Sequence, residues 1–139
     1  MLSKPERLTR AGLFQRTHAA KKSVTVPPVS LFVLERQAKS APRLPLVGFV
    51  IGKKVHGKAV QRNKAKRRVR EAYRLLRQQW LSEGDSPEIN IKQWYSLVFH
   101  IQLEAIEAPF QQIQQAVEQC LILAAKKYGR RSTQAKAHG

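Results

Sequence analysis

The densest chemistry in this chain lies in the stretch GKAVQRNKAKRRVREAYR, Gly57 to Arg74, where eight of eighteen residues are Lys or Arg and Glu71 is the single acid. Like charges three or four residues apart on a helix cost a few tenths of a kcal/mol per pair, so a polyanion outside the chain is the natural source of compensation. At about 100° per residue, Asn63, Lys66, Arg67, Arg70, Arg74 and Arg77 share an arc of roughly 100°. Ala65, Val69, Ala72 and Leu76 share a narrower arc of about 60°, with Tyr73 and Trp80 at its margin. The pattern predicts one helix with a small-residue stripe packed on a core and a face of single sign turned outward. Arg68 falls off that face. An ordinary solvated helix mixes Glu with Lys at i and i+4. Without that mixture, binding to phosphates explains the face better, because each neutralised phosphate releases counterions. Five or six such contacts correspond to a log–log salt slope of about −4 to −5 on a duplex, and less on a single strand.

The lead-in to this helix carries Lys53, Lys54, His56 and Lys58 around Gly52 and Gly57. Glycines let backbone N–H groups approach an anion, and a helix N-terminus adds partial positive charge. A GxxxxGK[ST] loop looks similar, since Gly52 and Gly57 have its gap and Lys58 follows. Ala59, however, stands where a hydroxyl would hold magnesium, which argues against a nucleotide-hydrolysing site. His18, His56, His100 and His138 are scattered, and with Cys120 alone no metal cluster of standard spacing is expected. The carboxylates fall mostly after residue 80, with no pairing that singles out an acid and a base. Any chemistry this protein serves is expected to be carried by another molecule.

The charge distribution supports a polyanionic partner. The chain has 139 residues and a net charge of +17, yet residues 80–125 carry six acids against one base. The positive surface is therefore expected to lie away from that segment. An anionic membrane is the competing partner, but the stripe through Ala65 and Ala72 is too narrow and small for an inserting face. No apolar run approaches a membrane span. The start MLSKPERLTR lacks the apolar block of a secretory signal, and the single cysteine suits a reducing compartment, so a cytoplasmic protein is expected, with no membrane and no small-molecule substrate.

Stepping along the chain, Ser3 with Glu6 and Thr9 mark possible helix starts, giving a short helix around residues 10–18. VTVPPVSLFVLER is broken near its start by Pro27 and Pro28, so a strand is read from Val29 to Glu35. LVGFVIG, Leu46 to Gly52, is apolar on both faces and reads as a central strand. After the basic helix, Gly84 and Pro87 act as breakers. A strand then covers Tyr95 to Ile101. In the last helix Phe110, Ile113, Val117, Leu121 and Ala124 recur at three and four, Lys126 and Lys127 sit near its end, and Gly129 is the expected stop. Residues 130–139 form a basic tail expected to be disordered. Phe14, Trp80, Trp94 and Tyr95 read first as core residues. The order of elements is that of an α+β domain with helices layered on a small sheet.

The run GFVIGKKVHGKAVQRNKAKRRVRE closely resembles the signature of the bacterial ribonuclease P protein component, and the resemblance extends over most of the chain. It implies a single domain, residues 1–129, of αβββαβα order with a left-handed βαβ crossover, like the second domain of a ribosomal protein. It also implies a division of labour. An RNA subunit carries out magnesium-dependent cleavage of the 5′ leader from precursor tRNA, with Mg2+ bound mainly by RNA and substrate, while the protein grips the leader and assists metal binding. By matching positions, Lys53, Lys54, Lys58, Arg62, Asn63, Lys64, Lys66, Arg67, Arg70 and Arg74 would meet the ribonuclease P RNA. Phe14, His18 and Tyr128 would line a cleft in which the leader lies single-stranded against aromatic rings, with strand residues Leu31 to Leu34 contributing.

Two positions depart from the family pattern: Lys64 replaces the usual second arginine, and His18 replaces the usual second cleft aromatic. A binding-only alternative, an RNA-coating protein of ribosomal type, would need no cleft aromatic beside the basic helix. A DNA-binding reading with that helix in the major groove is disfavoured by its continuous apolar stripe.

Overall fold

The computed structural model describes residues 11–36, 44–51, 58–83 and 91–129. The expectations for Ser3, Glu6, Lys53, Lys54, His56 and the tail after Gly129 lie outside these residues. So do the side chains of Trp80 and of residues 81–83 at the end of the basic helix.

In chain order the elements are α1 (Ala11–Ala19), β1 (Ser23–Val26), β2 (Val29–Glu35), β3 (Leu46–Val50), α2 (Ala59–Glu83), β4 (Trp94–Ile101) and α3 (Phe110–Tyr128). Short 3-10 turns at Ile91–Gln93 and Leu103–Ile106 flank β4. The αβββαβα order is as expected, and the sheet runs β1-β2-β4-β3. The pairs β1–β2 and β2–β4 are antiparallel, whereas β3 and β4 are parallel and joined through α2.

Two readings of the strands are corrected. First, Ser23–Val26 is a strand in its own right, paired Val26 to Val29 across Pro27 and Pro28. The prolines are the turn of a hairpin, where a missing N–H costs no ladder bond, rather than the interruption of one strand. Second, among the described residues β3 is an edge strand, not a central one, with β4 as its partner. Its residues are apolar on both sides because both faces are covered. Val47 and Phe49 pack with the α2 side, while Leu46 and Val50 pack with Phe14 and Phe32 on the other.

Period-two alternation divides the sheet between two layers. Val29, Leu31 and Val33 of β2 and Leu97, Phe99 and Ile101 of β4 face α2 and α3 in the main core. There they meet the predicted stripe of Ala65, Val69, Ala72 and Leu76, together with fully buried Tyr73. From α3 come Ile113, Val117, Cys120, Leu121 and Ala124. Burying each large aliphatic or aromatic side chain here contributes about 1.5–3 kcal/mol. The alanines of α2 bring that helix close to the sheet and so set the height of its outward face.

Gly129 does end α3, but with an extended φ of −73° rather than a left-handed one. Its N–H donates to the Ala125 carbonyl at 2.9 Å. A Cβ there would stand 2.3 Å from that same oxygen and 2.9 Å from Gln93 Oε1, so the position excludes a side chain by space.

Candidate nucleic-acid interface

The outward face of α2 follows from the stripe that buries its other side. Val60, Asn63, Lys66, Arg67 and Arg70 line one groove of about 430 Å³. Among the described residues no carboxylate lines it. Val60, at its end, is 75% exposed, unlike every apolar residue of the buried stripe. Asn63 and Arg67 are exposed, whereas Lys66 and Arg70 are half-buried. Arg70 rests its guanidinium 5.6 Å above the Phe49 ring, and Phe49 stacks in turn on Phe99 at 5.6 Å.

The remaining predicted contacts are placed differently. Lys64 and Lys58 are exposed but do not line the groove, and Arg62 is half-buried, its N–H bonded to the Lys58 carbonyl. Arg74 stands on the predicted arc but is bound side-on by Glu71, Nε to Oε1 at 2.8 Å and Nη2 to Oε2 at 2.6 Å. The Arg74 bond holds the Glu71 carboxyl below its usual range, and the same bond raises Arg74. Much of the Arg74 charge is therefore compensated within the helix. Arg68, off the face as expected, donates from Nη1 to the carbonyls of Ala105 and Ile106, each at 2.9 Å, and from Nη2 to that of Ala108. It ties α2 to the turn that precedes α3.

A second surface lies on the other side of the sheet, where α1 crosses β2 and β4. Helix α1 is short, with Arg16 and His18 in its last turn, where positive charge complements the helix end. It is anchored by Thr17, fully buried, whose hydroxyl meets that of Ser96 at 2.7 Å. Phe14 packs half-buried in a cluster around Val98 with Phe32, Leu46, Val50 and Tyr95. His18 stands edge-on to Phe32 at 4.9 Å and to His100 at 4.7 Å, and Phe32 and His100 are 5.0 Å apart. His18 Nε2 and His100 Nε2 are in hydrogen-bond contact. Burial, and then the nearby His18, hold His100 below its usual value. Arg16 and the buried Arg36 both lie 5.9 Å from the Tyr95 ring centre.

The register explains which strand residues join this surface. Phe32 and Ser30 face α1, while Leu31 and Val33 of the expected segment turn into the core. Phe32 lies within the expected segment, whereas His100 and Tyr95 were not expected on this surface, because strand alternation alone gives two faces without saying which one α1 covers. Tyr128 takes a different place. Its hydroxyl accepts from the Ser23 N–H and donates to the Ser23 carbonyl, both at 3.3 Å, and Lys127 Nζ lies 5.3 Å from its ring. It closes the start of β1 against α3 instead of joining the rings around His18.

The family model described as Ribonuclease P matches residues 2–125. The ribonuclease P protein component of Symbiobacterium thermophilum is 37% identical over 118 residues, spanning 85% of this chain and 90% of that protein. That of Chloroflexus aurantiacus is 40% identical over 109 residues, spanning 78% and 69%. The fold likewise matches a solved ribonuclease P protein from Staphylococcus aureus with a TM-score of 0.60 and 25% identity, covering 89% of this chain and 92% of that one. A second Staphylococcus aureus structure, at 24% identity and a TM-score of 0.59, agrees in fold. With the basic helix, the four-stranded sheet and matches that run nearly the length of the chain, the chain belongs to the ribonuclease P protein family.

Proposed function

We propose that this chain is the protein subunit of an RNA-based endonuclease that removes the 5′ leader from precursor tRNA, and that it binds RNA on two surfaces. The groove of α2 takes the phosphate backbone of the ribonuclease P RNA through Asn63, Lys66, Arg67 and Arg70. The α1 side of the sheet takes the single-stranded leader, with Phe14, His18 and Phe32 as its ring-bearing wall. The observation that carries this reading is the α2 groove itself, whose described lining is without a carboxylate, held at fixed height by the alanine stripe beneath.

Magnesium is assigned to the RNA and the substrate. Mg2+ prefers hard oxygen ligands, and the α2 groove offers ammonium, guanidinium and one amide, so this donor set does not fit it. What the chain contributes is cations that draw phosphates together and an aromatic wall that orders a single strand. Cleavage is left to the RNA subunit.

Reconstitution tests the proposal. The purified protein, added to a bacterial ribonuclease P RNA at low magnesium, is expected to stimulate 5′ cleavage of a leader-bearing precursor tRNA. An absence of stimulation would sink it in favour of an RNA-coating protein without a role in cleavage.

A further inference from the structure

The contact between His18 and His100 has consequences for charge that neither residue carries alone. One Nε2 must donate and the other accept, so in the neutral pair one ring is the Nε2–H tautomer and the other the Nδ1–H tautomer. The first ring then has a bare Nδ1 and the second an Nδ1–H. Among the described residues neither Nδ1 has a hydrogen-bond partner. Adding one proton to the bare Nδ1 leaves the contact between the rings intact and makes both Nδ1 groups donors, with a positive charge shared across the pair. Adding a second proton destroys the contact, because two Nε2–H groups then face each other. The pair is built to hold one proton and to refuse two.

The surroundings leave that proton without a competitor. From β2, Ser30 and Phe32 face the pair; from β4 it is flanked by Val98, and from β3 by Val50, the register partner of His100. Thr25 of β1 is bonded to Ser30. On α1 and the turn after it, Arg16 lies over Tyr95, Lys22 is paired with Glu35, and Lys21 is exposed at the helix end. Among the described residues the charged group that acts on His100 is His18 itself, and no carboxylate does. Helices α2 and α3 lie across the sheet. In the free protein burial disfavours the charged form of His100, and an arriving anion reverses that preference, since an opposite charge within a few ångströms favours the charged form.

We infer that the His18–His100 pair, beside the ring of Phe32, is a phosphate-binding point that takes up one proton from solvent when a single-stranded nucleic acid enters the α1 side of the sheet. The Nδ1–H formed by that proton then serves a phosphodiester oxygen, and the Phe32 ring lies beside the pair for a base to stack. The inference rests on the reading that the leader lies on this surface, and it makes leader grip in this chain proton-linked.

The test uses the full-length protein and a short oligouridylate with hydroxyl ends, whose phosphodiesters and bases keep their protonation between pH 6 and pH 8. Affinity is measured at constant salt across that range. The expected result is that affinity rises as pH falls, by up to about tenfold per pH unit near the histidine range, as uptake of one proton requires. His18→Phe combined with His100→Phe keeps both rings and removes both imidazoles, and it is expected to bind with an affinity that ignores pH. Wild-type affinity that is flat in pH, or a slope that survives the double substitution, overturns the inference. If the variant fails to fold, ring-nitrogen resonances of the wild type decide: at neutral pH, adding oligouridylate must move both histidines toward the protonated form, and unchanged resonances overturn the inference. Tight binding that ignores pH overturns proton uptake alone, whereas an absence of binding at every pH overturns the leader surface as well.

Discussion

The guanidinium of Arg70 lies 5.6 Å above the ring of Phe49, so a cation of the basic helix is seated on an aromatic stack that belongs to the edge strand and the core. That seat fixes where the charge points without neutralising it. Arg74, one turn on, shows the alternative, with its fork closed on Glu71.

Arg67→Ala combined with Arg70→Ala is therefore expected to weaken binding to the ribonuclease P RNA while leaving the fold intact. Two lost phosphate contacts flatten the log–log salt slope by about 1.4 to 1.8. Arg70→Lys keeps the charge but loses the flat seat on Phe49, and it is expected to fall between wild type and Ala. Filter binding over a series of salt concentrations checks both. Full affinity of the double variant at physiological salt would mean that the α2 face looks into solvent.

Arg68→Ala is expected to act on stability instead. Its guanidinium serves the carbonyls of Ala105, Ile106 and Ala108, and loss of these charge-assisted bonds costs about 2–4 kcal/mol. Urea unfolding should show a lower midpoint, with the salt slope of RNA binding unchanged. A variant with wild-type stability and a flattened slope would place Arg68 among the RNA contacts.

His100 makes the fold itself sensitive to acid. Its pKa is lowered from 6.5 by burial and by His18, so the unfolded chain takes up the proton first. The contribution is complete above about pH 6.5 and is lost as pH falls from there through the lowered folded value. Thermal unfolding followed from pH 8 down to pH 5 should show this loss, and His100→Phe should remove that part of it. An acid profile unaltered by the substitution would assign the sensitivity elsewhere.

Cys120 is expected to be inert in the folded protein. It is fully buried, and burial pushes its thiol up to about 12. Alkylation at pH 8 should therefore wait for unfolding, since the thiolate is the reactive form. Rapid labelling of the native protein, measured by mass, would contradict the packing of α3 on β2.

How much of this was legible beforehand differs by element. The α2 stripe of Ala65, Val69, Ala72 and Leu76 and the core side of α3 were readable because a helix repeats its geometry every few residues, so spacing alone sorts the faces. Arg68 could be excluded from the single-sign face on the same ground, although its carbonyl partners lie some forty residues away in chain and left no local sign. For β1, the Pro27–Pro28 pair looked like an interruption because a breaker and a turn share the same residues. For β3, an apolar run showed burial on two sides but not which neighbours supplied it.

The sequence by itself determined that this chain carries a one-sided basic helix on an α+β domain, because charge sign and helical period are local properties. Only the tertiary structure decided that Phe32 of β2 and His100 of β4 meet His18 of α1, and that Tyr128 closes β1 instead. Those meetings depend on strand order and register, which are set by how three layers share one sheet. No stretch of neighbouring residues encodes that arrangement.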